Sequence, residues 1–279
     1  MEVLVKDIVA YAAMQLKEAD IIENEIDSWL LAEEIFGIPK QDIFLEPNKC
    51  VGEKAAQKYI EAVEMRAKHI PLQHITGHQQ FMDFDFLVNE NVLIPRPETE
   101  LLVEQVVSYI GDDETKVLDM CTGSGCIAIS VDKMCLNANV VAVDISEKAL
   151  NVARENNKRN GGKVTFIKSN LFKNVNEKYD VIISNPPYIP TSDIDMLMEE
   201  VRDHEPHLAL DGSNDGLEFY RKICKQSIDY LKEKGKIFLE IGYDQGKTVP
   251  NLLKENGFIN IKVLKDLSGN DRMVIAGKE

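Results

Sequence analysis

Apolar positions along this chain follow two rhythms. Up to about residue 70 they recur at helical spacing. Val5-Lys6-Asp7-Ile8-Val9 leads into Ala10 to Leu16. Asp27 is placed to cap Ser28 to Phe36, and Gly37 follows as a stop. Pro39 marks the next turn, and Gly52 opens a third helix through Lys68. A small helical bundle is expected, with Trp29, Leu30 and Leu31 in its core. Phe81 to Val88 then alternates apolar and polar residues over part of its length. With Val92-Leu93-Ile94 it reads as a β-hairpin linker. From Glu98 onward strands alternate with helices. The strands fall near 115–120, 139–144, 163–168, 179–184, 235–241, 258–264 and 272–277. That alternation predicts an α/β fold around a seven-stranded, mostly parallel sheet. The expected division is 1–73 for the helical domain, 74–95 for the hairpin linker and 96–279 for the α/β domain.

Composition narrows the class. At 279 residues, 44% hydrophobic and 28% charged, the chain is of globular type with room for one large and one small domain. The net charge of −15 argues against a free nucleic-acid binder, which would carry a basic face. No apolar run reaches the ~18 residues of a membrane span, and no signal pattern opens the sequence. Cys50, Cys121, Cys126, Cys135 and Cys224 are scattered without a Cys-x-x-Cys pair, which suits a reducing cytoplasm and no structural zinc. His69, His74 and His78 are interrupted by Pro71 and Gly77, so they read as linker residues, and His204 and His207 read as loop residues. No metal site is expected.

Two stretches carry chemistry. Thr115 to Met120 reads as a strand, Cys121-Thr122-Gly123-Ser124-Gly125 as a small-residue loop, and Cys126 to Val131 as a helix. Strand, bare loop and helix bring backbone close to a nucleoside, as in Rossmann-type folds. The next strand ends in Asp144, 19 residues after Gly125 (144 − 125), where a carboxylate suits two ribose hydroxyls. Ser146 is placed to cap the helix from Glu147 to Asn160. The loop lacks a third glycine and any P-loop Lys-Ser/Thr, which disfavours a pyrophosphate. S-adenosylmethionine fits: adenine, ribose and a charged amino-acid tail. Asp119 is placed to reach the tail's ammonium directly or through water.

The second stretch is Asn185-Pro186-Pro187-Tyr188, directly after the strand 179–184. Two prolines fix two φ angles and remove two backbone donors. The turn therefore offers carbonyls without competing amides. Asn185 adds a side-chain carbonyl and Tyr188 a flat ring. Such a turn can grip a planar NH2 group. Each motif alone is also an ordinary turn. Loop, acid and proline turn in one register argue for a site.

With these motifs the chain resembles the release factor glutamine methyltransferases. The resemblance spans nearly the whole sequence, through Pro71-Leu72-Gln73-His74-Ile75-Thr76-Gly77, Val92 to Glu100 with its Pro95-Arg96-Pro97-Glu98-Thr99-Glu100 run, Glu205-Pro206, Leu208 to Gly212, Asp215-Gly216-Leu217 and Leu239 to Tyr243. It implies a class I methyltransferase domain whose last strand is antiparallel. It also implies methyl transfer from S-adenosylmethionine, leaving S-adenosylhomocysteine, to the side-chain amide of the Gly-Gly-Gln glutamine of class-one peptide chain release factors. The implied cofactor residues are Asp119, Cys121, Thr122, Gly123, Ser124, Gly125, Asp144, Asn170, Leu171 and Asn185. Asn185 and the Pro186 carbonyl would accept the amide's two N–H groups, Tyr188 would stack on its plane, and Pro187 would complete the turn. Arg96 and Glu98 have two readings: shaping the substrate pocket, or pairing with each other on the surface. The helical domain is the expected second contact with the protein partner.

Three positions depart from the family pattern. Cys121 stands for a glycine, Asn170 for an aspartate and His74 for a tyrosine. Other readings are a ribosomal-protein glutamine methyltransferase, which shares the catalytic domain, and an adenine-N6 nucleic-acid methyltransferase, which shares the proline turn. A nucleotide-dependent oxidoreductase has no use for that turn. A non-catalytic binding module would not need both motifs.

Overall fold

The computed structural model describes residues 2–279. Two compact units emerge from it. The first runs up to Gly77 and takes in the segment Met198–His204. Its helices are Val5–Glu18, Asn24–Phe36, Lys40–Leu45, Glu53–Arg66 and Leu72–Thr76. Val5, Leu16, Leu31, Tyr59 and Val63 fill its core. Trp29 packs against that core from a half-buried position, while Leu30, expected inside, is 42% exposed. The bundle also holds a pairing that the helical pattern hides: β1 (Glu2–Leu4) lies antiparallel to β2 (Cys50–Gly52).

Asp27 is no cap. The helix already begins at Asn24, and Asp27 lies buried in its first turn. Arg66 Nε donates to its carboxylate at 2.7 Å, and Arg66 Nη2 reaches Glu200 at 2.7 Å. Burial raises the Asp27 carboxyl above the usual carboxylate range, and Arg66 opposes the rise. A buried carboxylate is tolerated here because a guanidinium meets it.

The second unit comprises His78–Leu197 and Glu205–Glu279. It opens with a hairpin of β3 (His78–Phe81) and β4 (Phe84–Leu87), turning at Met82 with φ +52°. The expected hairpin therefore shifts upstream. Val92 to Ile94 form no strand, because Asn89 to Val92 close a turn in which Val92 N donates to Asn89 O at 3.2 Å. Val92 and Ile94 are buried against Ala149 instead.

Seven strands follow: β5 (Thr115–Met120), β6 (Ala138–Asp144), β7 (Thr165–Lys168), β8 (Tyr179–Ser184), β9 (Leu231–Glu240), β10 (Ile259–Lys265) and β11 (Asp271–Gly277). Their order is β10-β11-β9-β8-β5-β6-β7. Pairs among β5 to β9 are parallel, and β11 runs antiparallel to both neighbours. This is the expected class I arrangement. Alternate residues of each strand enter opposite cores: Leu118, Met120 and Ile182 in one, Val117, Val181 and Ile183 in the other. The strand order reverses between β5 and β8, and such a switch point opens a crevice at the strand C-termini. Met120 lies opposite Ser184, so the loops starting at Cys121 and Asn185 emerge side by side.

Candidate active site

The loop after β5 owes its path to left-handed backbone. Cys121, Gly123 and Gly125 have φ of +62°, +56° and +82°. At Gly125 a Cβ would also lie 3.0 Å from Ile129 Cδ1 and 3.1 Å from Ala153 Cβ, so glycine lets helix Cys126–Met134 close on helix Glu147–Arg159. Asp144, at the end of β6, binds this loop. Its Oδ2 accepts from Gly123 N at 2.9 Å and its Oδ1 from Ser146 N at 2.8 Å. Burial raises the Asp144 carboxyl, and those backbone amides, with Ile145, pull it down. Ser146 caps the next helix, accepting from Ala149 N at 3.2 Å, as expected.

Asp119 takes another place than expected. It is fully buried, accepts the Thr122 hydroxyl at 2.5 Å, and does not line the cleft. Burial pushes its carboxyl up to about 7, with the Asp144 charge adding to the rise and Thr122 opposing it. The structure thus shows Asp119 holding the loop from behind.

The proline turn faces the same cleft. Asn185 is half-buried, and it and Pro187 line the opening. Pro186 is buried, and the Tyr188 ring packs against the core rather than lining the cleft. Burial pushes the Tyr188 phenol up to about 12. The turn is clamped from behind. Gln245 Nε2 donates to the Tyr188 carbonyl at 3.2 Å, Ile189 N to Leu210 O at 3.1 Å, and Gly212 N to Ile189 O at 2.8 Å. Asn185 Nδ2 reaches Thr99 Oγ1 at 3.4 Å, and that hydroxyl donates to Glu240 Oε2 at 2.7 Å.

Arg96 and Glu98 separate. Arg96 lines the cleft and is paired with the buried Glu205, which also accepts from Ile94 N at 3.1 Å. Glu98 is exposed and does not line the cleft. The cleft encloses about 1070 Å³, its open mouth included, and lies wholly within the second unit. Cys121, Thr122, Gly123, Ser124, Asp144, Asn170, Leu171 and Asn185 come together in its wall, while Gly125 sits behind. The bare backbone of the loop and a carboxylate fixed by two amides suit the nucleoside part of S-adenosylmethionine. Among the described residues no three His, Cys, Asp or Glu side chains cluster as a metal site requires. Thr99, Glu205, Gln245 and Glu240 carried no sequence signal as site residues, although Thr99, Glu205 and Glu240 lie within the stretches of the family resemblance.

The family model described as PrmC N-terminal domain matches residues 7–77, and Methyltransferase small domain matches 97–214. A release factor glutamine methyltransferase from Clostridium acetobutylicum is 39% identical, covering 98% of each chain. One from Streptococcus pneumoniae is 42% identical over 84% of each chain. Among solved structures, a methyltransferase from Pyrococcus furiosus superposes with a TM-score of 0.54 at 22% identity, over 71% of this chain and 90% of that one, and supports the fold. The chain belongs to the release factor glutamine methyltransferase family.

Proposed function

We propose that this S-adenosylmethionine-dependent methyltransferase methylates the side-chain amide nitrogen of the Gly-Gly-Gln glutamine in class-one peptide chain release factors. One observation carries the reading: Asn185 and the Cys121–Ser124 loop line a single cleft. When bound, S-adenosylmethionine supplies an electrophilic methyl group on a positively charged sulfur.

The protein's part is to bind and align. Asp144 receives the ribose hydroxyls, Cys121 to Ser124 offer backbone, and Asn170 and Leu171 border the adenine. A glutamine amide nitrogen is a poor nucleophile, because its lone pair is delocalised into the carbonyl. Asn185 Oδ1 and the Pro186 carbonyl accept its two N–H groups and favour charge growing on nitrogen. Tyr188 and Pro187 keep the turn stiff. Alignment supplies much of the acceleration, since effective molarities of ~10⁵ M or more are reached by well-oriented groups. The proton can leave after methyl transfer, so no strong base is required. Arg96, tied to Glu205, borders the acceptor side. The helical unit provides a second contact with the release factor. A net charge of −15 disfavours a nucleic-acid substrate, and the expected compartment is the cytoplasm. No helix among the described residues is long and apolar enough to cross a membrane.

Asn185→Ala tests the reading. Turnover should collapse while cofactor affinity, measured by calorimetry, stays within a few-fold. Turnover preserved within a few-fold would remove Asn185 from the reaction.

A further inference from the structure

Behind Asn185 lies a polar relay. Glu240 ends β9, and Ser184 of β8 lies opposite Leu239, so Asn185 emerges next to Glu240. Glu240 is only 3% exposed. Its Oε2 takes the Thr99 O–H at 2.7 Å. With its hydrogen committed, Thr99 Oγ1 presents lone pairs to Asn185 Nδ2, 3.4 Å away. From the other side the Tyr220 hydroxyl donates to the Glu240 carbonyl at 2.7 Å, which fixes the strand end.

The two ends of a primary amide have nearly the same shape and opposite hydrogen-bonding character. A Thr99 oxygen that can only accept, because its hydrogen is held by Glu240, admits only the NH2 end of Asn185. Its oxygen is then the end left for the cleft that Asn185 lines. We infer that Glu240, acting through Thr99, is a positioning residue that sets the polarity of the Asn185 amide, so that oxygen rather than NH2 meets the acceptor glutamine. This rests on the assignment of Asn185 to the acceptor amide made above. With the amide reversed, NH2 would face NH2, and both the attraction and the alignment would be lost.

The positioning depends on ionisation. A carboxylate can only accept, so it keeps the Thr99 O–H turned toward itself. A carboxylic acid can donate to Thr99 Oγ1 instead, which frees the Thr99 O–H to meet the oxygen of an Asn185 turned over. Burial pushes the Glu240 carboxyl up to about 7, Glu98 adds to the rise, and Thr99, Arg272 and Asn185 oppose it. The charged and titratable groups around it are Glu98 from helix Pro97–Ile110, Arg272 from β11, Tyr188 after β8, Tyr220 from helix Glu218–Tyr230 and Cys126 from helix Cys126–Met134. Burial keeps Tyr188, Tyr220 and Cys126 neutral near pH 7.

Methyl transfer from labelled S-adenosylmethionine to a purified class-one release factor tests this over about pH 6 to 9. The enzymes are wild type, Glu240→Gln, Thr99→Val, Thr99→Ser and Asn185→Ala, with cofactor affinity measured alongside. Glu240→Gln and Thr99→Val should lower kcat at least about tenfold. KM for the release factor and cofactor Kd should stay within a few-fold, and Thr99→Ser should recover most of kcat. An acid limb near pH 7 in wild type should vanish in Glu240→Gln. Burial pushes the Asp119 carboxyl up to about 7 as well, so a limb that survives in that variant is not that of Glu240 and counts against the inference. Wild-type kcat in Thr99→Val overturns the inference even if Glu240→Gln fails to fold. An inactive Asn185→Ala beside fully active Thr99→Val and Glu240→Gln refutes the positioning alone. A fully active Asn185→Ala refutes the acceptor assignment and the inference with it.

Discussion

A side chain on Gly216 would meet the Tyr188 carbonyl oxygen at 2.2 Å. Gly216 has φ +70°, and Gln245 Nε2 bridges the Tyr188 and Gly216 carbonyls at 3.2 Å each. A Cβ on Gly212 would likewise come within 2.8 Å of Tyr188 Cα. The segment from Gly212 to Leu217 is therefore a backbone mould for the proline turn.

Gly216→Ala should deform that mould. Left-handed strain alone costs ~1–3 kcal/mol, and the clash adds to it. We expect a lower Tm and a reduced kcat, with cofactor affinity nearly unchanged, since the Cys121–Ser124 loop lies elsewhere in the cleft. Thermal melts and calorimetry check this, and a wild-type Tm would show that the turn yields without cost.

Asp144→Ala should weaken S-adenosylmethionine binding. Two charge-assisted hydrogen bonds to ribose are worth ~1.5–3 kcal/mol each, so losses of about 10²-fold or more are expected at ~1.4 kcal/mol per decade. Asp144 also accepts from Gly123 N, so the loop should loosen in the free protein too. An unchanged dissociation constant would take Asp144 out of the site.

Asp119 ties stability to pH. Its folded carboxyl is pushed up to about 7 from an ordinary value of 3.8. The folded protein therefore holds this proton more tightly than the unfolded chain. The resulting stability is fully present below about pH 4 and is lost as pH rises through about 7. Asp119→Asn, neutral at every pH, should gain on wild type across that window, by on the order of a few kcal/mol at most. Melts of both proteins at several pH values check this. A Tm difference that is flat or shrinks with rising pH would mean that Asp119 is ionised in the fold at little cost.

The local motifs were legible. Gly123, Asp144 and Asn185 stand at strand ends, where periodicity breaks against glycine, acid or proline, and the sheet follows from runs of apolar residues. The supports of the site were not. Thr99 meets Glu240 across 141 positions, Arg96 meets Glu205 across 109, and Asn185 meets Thr99 across 86. Such pairs leave no mark in local spacing, because only the folded sheet brings them together. Asp119 looked available because an acid at a strand end resembles a ligand, yet Thr122 and the sheet enclose it. In the helical unit, Asp27 carries a capping residue's identity and spends its carboxylate on Arg66. The hairpin was displaced because Val92 and Ile94 are as apolar as a strand while serving as plugs beside Ala149.

Mapping the methylated atom tests the account most directly. The purified enzyme, S-adenosylmethionine and an intact class-one release factor are incubated, and the protein is digested and sequenced by mass spectrometry. The account predicts one added methyl group, on the side-chain amide nitrogen of the Gly-Gly-Gln glutamine, and none on DNA or RNA oligonucleotides offered in parallel. A methyl group on another residue, or oligonucleotide methylation at a matching rate, would contradict it.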